Sequence, residues 1–151
     1  AIDYVGIVDG YMVDQARTFF LGEAPEEFVK IHSLALKIQD AIAETGKPGV
    51  RAEALYDLAI GMAMSVESTA RFMGYPVPVP FVGHGVGLEL DELPVLGRKS
   101  RHVLETGMVI AIEPKFIMPG KGLAGIENTF VVGENGMEKL TKFGDEIHVL
   151  N

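Results

Sequence analysis

Phe81-Val82-Gly83-His84-Gly85-Val86-Gly87-Leu88 sets one histidine among three alternating glycines. Glycines at that spacing let backbone approach a ligand closely on both sides of the imidazole. Alone, a histidine in an apolar run reads as structural. Its chemical reading comes from two hairpin-like segments that each carry two carboxylates, Asp3 with Asp14 and Glu113 with Glu127. One imidazole and four carboxylates make a five-donor set, enough for two metal ions.

The composition bounds what such a set can serve. A chain of 151 residues, 48% hydrophobic and 23% charged, reads as one soluble globular domain with enough length for a core. No apolar run approaches a membrane span, and no secretory leader pattern opens the sequence. There is no cysteine, which excludes a disulfide scaffold or a thiolate metal site and fits a reducing, cytoplasmic setting. The net charge of −8 argues against a nucleic-acid surface. Two divalent ions would offset half of that charge, so part of the acidity reads as a ligand set.

Ala1 to Gly22 reads as a hairpin turning at Asp9-Gly10. If those two residues form the loop, Val8 pairs with Tyr11, Val5 with Asp14 and Asp3 with Ala16. Asp3 and Asp14 then share a face as diagonal neighbours, about 7–8 Å apart at Cα. Two unrelated surface acids on an edge hairpin would give the same pattern. Pro25-Glu26-Glu27 opens a helix with the stripe Phe28, Ile31, Ala35, Ile38 and Ile42, ended by Gly46-Lys47-Pro48-Gly49. His32 lies beside the stripe and reads as a solvent or helix-surface residue. A second helix is expected from about Ala52 to Phe72, with Leu55, Leu58, Ala59, Met62 and Val66 on one face and Met62, Met64 and Met73 as core filler. Tyr75 to Pro80, with alternating prolines, is expected to be extended and to wall a pocket. Leu88 to Ser100 reads as a loop, with Glu89, Asp91 and Glu92 on a solvated rim.

The second informative strand is Met108-Val109-Ile110-Ala111-Ile112, which runs apolar into Glu113 and Pro114. An acid at the end of such a strand needs a partner or it titrates to neutral. If Met118 to Gly122 turn the chain, Ile117 faces Leu123 and Glu113 stands opposite Glu127. Directly opposed like charges destabilise a sheet unless something neutralises them, and a cation is the economical answer. A final strand is expected near Glu146 to Leu150, with His102 and His148 structural.

The order Asp3, Asp14, His84, Glu113, Glu127 sits inside Ile2-Asp3-Tyr4, Val13-Asp14-Gln15-Ala16-Arg17-Thr18, Gly83-His84-Gly85-Val86-Gly87, Ile112-Glu113-Pro114 and Gly125-Ile126-Glu127-Asn128-Thr129. It resembles the pita-bread metallopeptidases, most closely their Xaa-Pro dipeptidase and aminopeptidase P branch. The resemblance implies an α+β pita-bread fold, here a mostly antiparallel curved sheet covered by two helices. It further implies that residues 1–151 are the C-terminal part of a catalytic domain whose N-terminal half is absent. Asp14 and Glu127 would bridge two divalent ions, Mn²⁺, Co²⁺, Fe²⁺ or Zn²⁺. Asp3 would complete one position, and His84 with Glu113 the other. Such ions acidify a water and polarise a scissile carbonyl. Glu113 would carry the proton to the leaving amine, which makes Glu113 and His84 the catalytic candidates. The implied substrate is a peptide with proline second. Nucleic acid and membrane are not expected partners; a second copy or the missing half is.

Two positions depart from the pattern. Asp91 stands where the branch places a substrate-contacting histidine, which makes Asp91 the substrate-binding candidate. Val95 stands where a basic residue often holds the substrate carboxylate. A same-fold hydrolase of another C–N bond and a catalytically silent binding module therefore remain alternatives to the Xaa-Pro peptidase. In this form the chain is expected to have little activity of its own.

Overall fold

A computed structural model of the chain describes residues 1–65 and 70–151. Its first element is the hairpin of β1 (Ile2–Val8) and β2 (Tyr11–Arg17). The turn is the expected one: Asp9 and Gly10 both have positive φ, 51° and 85°, and Val8 pairs with Tyr11. Val5 faces Asp14 and Asp3 faces Ala16, so the register matches the reading from Asp9-Gly10. The hairpin ends sooner than expected. Phe19–Leu21 forms a separate β3, which pairs in parallel with β12 (His148–Leu150).

Helix α1 (Glu26–Thr45) buries Phe28, Ile31, Ala35, Ile38 and Ile42, the whole expected stripe. It also buries His32 and Gln39. Both lie four residues beyond a stripe member, Phe28 and Ala35, and so on the same helix face. The solvent reading of His32 is thereby corrected. Helix α2 spans Ala52–Met64, shorter than expected, and Arg71–Phe72 is a short strand, β4. Val66, assigned to its apolar face, lies outside the described residues. Of the three expected core methionines, Met73 is buried and Met64 is exposed.

The main sheet has five strands in the order β11-β10-β7-β5-β6. They are β5 (Phe81–Gly85), β6 (Glu92–Gly97), β7 (Val109–Ile112), β10 (Asn128–Gly133) and β11 (Gly136–Lys139), and every neighbouring pair is antiparallel. Strand β6 corrects the loop expected over Leu88–Ser100. It contains Pro94, which lacks a donor, and it lies at the sheet edge, where that lack is tolerated. β8 (Lys115–Met118) and β9 (Gly122–Gly125) belong to a second sheet with β4. Helix α1 packs on β8, β9 and β11, and α2 on β5 and β6. Ile38, Ile42, Leu55, Leu96, Ile110, Ile112 and Ile126 are fully buried between these layers.

The proline segment also differs from expectation. It bends back, with Val79 N–H donating to Met73 O at 2.8 Å, and lines a cavity against Tyr56, Ile60 and Phe116. Gly83 and Gly85 serve strand packing: a Cβ on Gly83 would lie 2.4 Å from Ala111 O, and one on Gly85 2.6 Å from Leu93 O. The close approach that these glycines permit is to neighbouring strands.

Candidate metal centre

The Glu113-Pro114 and Ile126-Glu127 steps interrupt one long hairpin. β8 pairs Lys115 with Gly125, and β7 pairs Ile112 with Asn128, in a single register that sets Glu113 opposite Glu127. Pro114 has no N–H to continue the ladder. The backbone freed there is taken up by other strands. Glu113 N donates to Val82 O at 3.0 Å, next to His84, and Glu127 and Ala16 exchange both backbone hydrogen bonds. Four chain segments thus meet at the break, each bearing one donor.

Their side chains converge. One donor atom each from Asp14, His84 and Glu127 lies within 4.8 Å of the other two, and all three residues are buried. His84 Nε2 is 3.9 Å from Asp14 Oδ2 and 3.9 Å from Glu113 Oε1. His84 Nδ1 is 3.0 Å from Gly85 O. A carbonyl oxygen only accepts, so the proton of the neutral ring sits on Nδ1 and Nε2 presents its lone pair to the carboxylates. Thr129 fixes Asp14 by its backbone: Asp14 N donates to Thr129 Oγ1 at 3.1 Å, and Thr129 Oγ1 donates to Asp14 O at 2.8 Å.

One carboxylate of the cluster is left with an unsatisfied oxygen. Asp14 Oδ1 is buried with no hydrogen-bond partner. Burial, reinforced by Asp14, Glu113 and Asp3, pushes Glu127 up to about 9. Burial and Asp3 raise Asp14 to about 6, against the pull of His84. A buried oxygen without a donor, in a cluster that resists ionising, fits a cation as its partner. An oxygen-rich set with one imidazole suits a divalent first-row ion.

The other expected residues are placed differently. Asp3 is exposed, on the rim of a cavity of about 260 Å³ that Glu113 and Glu127 also line. Asp91 is 73% exposed at its side chain, with Oδ1 3.5 Å from His84 Nδ1. Val95 pairs with His84 across β5 and β6.

Sequence reasoning did not single out Lys115, whose ammonium pairs with Glu113 Oε2. It did not assign Arg17 a role either. Buried Arg17 donates to the carbonyls of Ala16, Glu127, Phe143 and Gly144 and to Asn128 Oδ1, and its Nη2 is 3.2 Å from Asp145 Oδ1. Lys115 was visible as the cation following Glu-Pro. The partners of Arg17 include Phe143, Gly144 and Asp145, at a separation beyond any local pattern.

A buried histidine–carboxylate cluster on an α+β scaffold of this kind defines a candidate metalloenzyme centre. Comparison with known proteins gives the family: the model of metallopeptidase family M24 matches residues 1–134, and the chain belongs to that family. It is 34% identical over 147 residues to the Xaa-Pro dipeptidase of Pyrococcus furiosus, an alignment covering 97% of this chain and 40% of that protein. The X-Pro aminopeptidase structure from Thermotoga maritima superposes with a TM-score of 0.87 at 28% identity, covering 98% of this chain and 40% of that one. Methionine aminopeptidase from the same organism gives 0.73 at 26% identity, covering 93% and 62%. The fold is the pita-bread fold expected from the motifs. The chain spans about 40% of the length of curated Xaa-Pro dipeptidases that it matches.

Proposed function

We propose that the protein to which this chain belongs is a dinuclear metal-dependent peptidase that cleaves the bond between an N-terminal residue and a following proline. The observation that carries this reading is the convergence of Asp14, His84 and Glu127 around a buried, partnerless carboxylate oxygen. Asp14 and Glu127 are read as the shared ligands, His84 with Glu113 as the completing pair on one side, and Asp3 as the completing ligand on the other. When bound, two divalent ions supply Lewis acidity toward the scissile carbonyl and toward water. The chain's own residues hold and move the proton. Glu113, with one oxygen facing His84 and the other facing the cavity cation Lys115, is read as the carrier from water to the leaving amine.

The same reading makes this chain the C-terminal part of a longer catalytic domain. The exposed hairpin supports it: Ile2, Tyr4 and Val8 with Tyr11 on one face and Ile7 on the other are each more than half exposed. Apolar side chains grouped in this way fit a covering surface from elsewhere in the protein or from a second copy. The test is to assay the full-length protein, reconstituted with Mn²⁺ or Co²⁺, on Xaa-Pro dipeptides and tripeptides. Metal-dependent release of the first residue supports the proposal. A protein that binds metal and cleaves none of these peptides is a hydrolase of another bond or a binding module.

A further inference from the structure

Among the described residues that line the cavity of about 260 Å³, Lys115 has the one cationic side chain, and Asp3, Glu113 and Glu127 line the same cavity. Its position follows from the strand. Lys115 opens β8 two residues after Glu113, so both side chains leave the same face of the backbone. The Lys115 side chain is 35% exposed, and its ammonium lies against the more buried Glu113 carboxylate. Glu127 and Asp3 also attract it, and together with Glu113 they hold its pKa above the ordinary value although burial acts to lower it. The donors nearest to a metal-binding geometry, Asp14, His84 and Glu127, form no ion pair with Lys115. Glu113 turns one oxygen toward His84 and gives the other to Lys115.

We infer that Lys115 is an internal competitor for Glu113. Its ammonium pairs with one oxygen of the carboxylate in the metal-free protein, and a divalent ion that takes Glu113 as a ligand must share the carboxylate with it or displace it into the cavity. The inference rests on the metal-centre reading above and adds to it a residue that sets how tightly the centre loads. An ammonium on one oxygen and a divalent ion on the other compete for the charge of the same carboxylate, so the pairing that stabilises the empty site opposes filling it. The two effects of removing the charge therefore have opposite signs.

The test is Lys115→Met in the full-length protein, with Mn²⁺ binding followed by titration calorimetry and thermal unfolding measured on the chelator-treated form. Removing the competitor should tighten the weaker Mn²⁺ step by about tenfold or more, the scale at which groups just outside a metal's ligands move its affinity. The metal-free protein should melt at a lower temperature, while Lys115→Arg, which keeps the charge, should bind Mn²⁺ like the wild type. A lysine that only packs the cavity would lower stability with and without metal and leave the binding constant unchanged, and that result overturns the inference. Should Lys115→Met not fold, Lys115→Gln takes its place in the same measurement. If the wild type itself binds no Mn²⁺, the metal-centre reading fails and the inference with it. If the wild type binds and the variant's affinity is unchanged or weaker, the role of Lys115 alone is refuted.

Discussion

Two buried polar clusters share the Ala16–Arg17 and Glu127–Asn128 segments and lie on opposite sides of them, because successive side chains of a strand alternate. On one side Asp14 and Glu127 join His84, with a partnerless oxygen and pKa values pushed up toward neutrality and beyond. On the other, Arg17 and Asn128 join Asp145, Thr141 and Gln39. There Asn128 Nδ2 donates to Gln39 Oε1 at 2.9 Å, Thr141 Oγ1 donates to Asn128 Oδ1 at 2.6 Å, and Lys139 Nζ reaches Asp145 at 2.5 Å. Burial acts to raise Asp145, but hydrogen bonds from Lys139 and Asn128 outweigh it and hold the carboxyl below its ordinary value. Residues one position apart thus sit in a satisfied network and an unsatisfied one. The first holds the C-terminal segment to the sheet. The second has the character of a site whose partner is not a protein group.

Breaking the satisfied side should have the largest effect on stability. Arg17→Met would take one donor from Asp145, from Asn128 Oδ1 and from four carbonyls, and hydrogen bonds made by a charged group are worth about 1.5–3 kcal/mol. Denaturant unfolding of the full-length protein checks it. A loss under about 1 kcal/mol, the range of an exposed pair, would show that the network is not the anchor described.

The unsatisfied side should respond with the opposite sign. Asp14→Asn removes one of the crowded charges, so the metal-free protein should become more stable. Bound divalent metal should fall from two ions per chain to one or none, the proposed dinuclear stoichiometry being the starting point. Peptidase activity should drop by about a hundredfold or more, the scale of losing one preorganised group. Elemental analysis, unfolding curves and a steady-state assay give the three readouts. Unchanged metal content would sink the ligand assignment.

The two clusters were unequally legible in the sequence. Asp14, His84, Glu113 and Glu127 were readable because local chemistry places them: Asp9-Gly10 pins one register, the Pro119–Lys121 turn pins the other, and each acid interrupts an apolar strand. The Arg17 cluster was not, since its bonds join β2 to residues beyond 140 and no periodicity encodes contacts at that separation. The same distance hid the parallel pairing of β3 with β12. His32 and Gln39 were hidden differently. Their spacing put them on the buried face of α1, but polarity argued for solvent. Gln39 resolves that conflict by donating to Ile112 O at 2.8 Å, a bond that joins the helix to the strand leading into Glu113.

Acidity should separate the clusters more gently. Glu127 sits near 9 in the folded chain against an ordinary 4.5, and Asp14 near 6 against 3.8. Between the paired values the folded state binds more protons than the unfolded one, so stability falls as pH rises. The contribution of Glu127 is complete below about 4.5 and is lost by about 9. Asp145 has the reverse sign: its depressed pKa supports stability above 3.8 and fails as pH drops through the folded value. The metal-free protein should therefore melt at a lower temperature at pH 8.5 than at pH 6. Saturating Mn²⁺ should flatten or reverse that trend, because ligands that bind as anions are easier to deprotonate at higher pH. A melting temperature that rises with pH in the chelated protein would contradict the frustrated character of the Asp14–Glu127 side.

The smallest effect should come from Asp91, which stands outside both clusters. Its carboxylate lies 3.5 Å from His84 Nδ1, beyond a good hydrogen bond, and that nitrogen already has Gly85 O at 3.0 Å. Interactions of an exposed carboxylate of this kind are worth about 0–1 kcal/mol, so Asp91→Asn should change Mn²⁺ affinity by less than about fivefold. Near the substrate the same charge acts differently. It should repel a free carboxylate close to the scissile bond, which penalises dipeptides relative to longer peptides. Asp91→His should then lower KM for an Xaa-Pro dipeptide a few-fold while leaving an Xaa-Pro tripeptide nearly unchanged. Paired KM and metal-affinity measurements distinguish the two roles. If Asp91→Asn weakens Mn²⁺ binding tenfold and leaves the peptide preference alone, Asp91 supports His84 and does not select substrate. If KM alone shifts, Asp91 belongs to the substrate side of the centre.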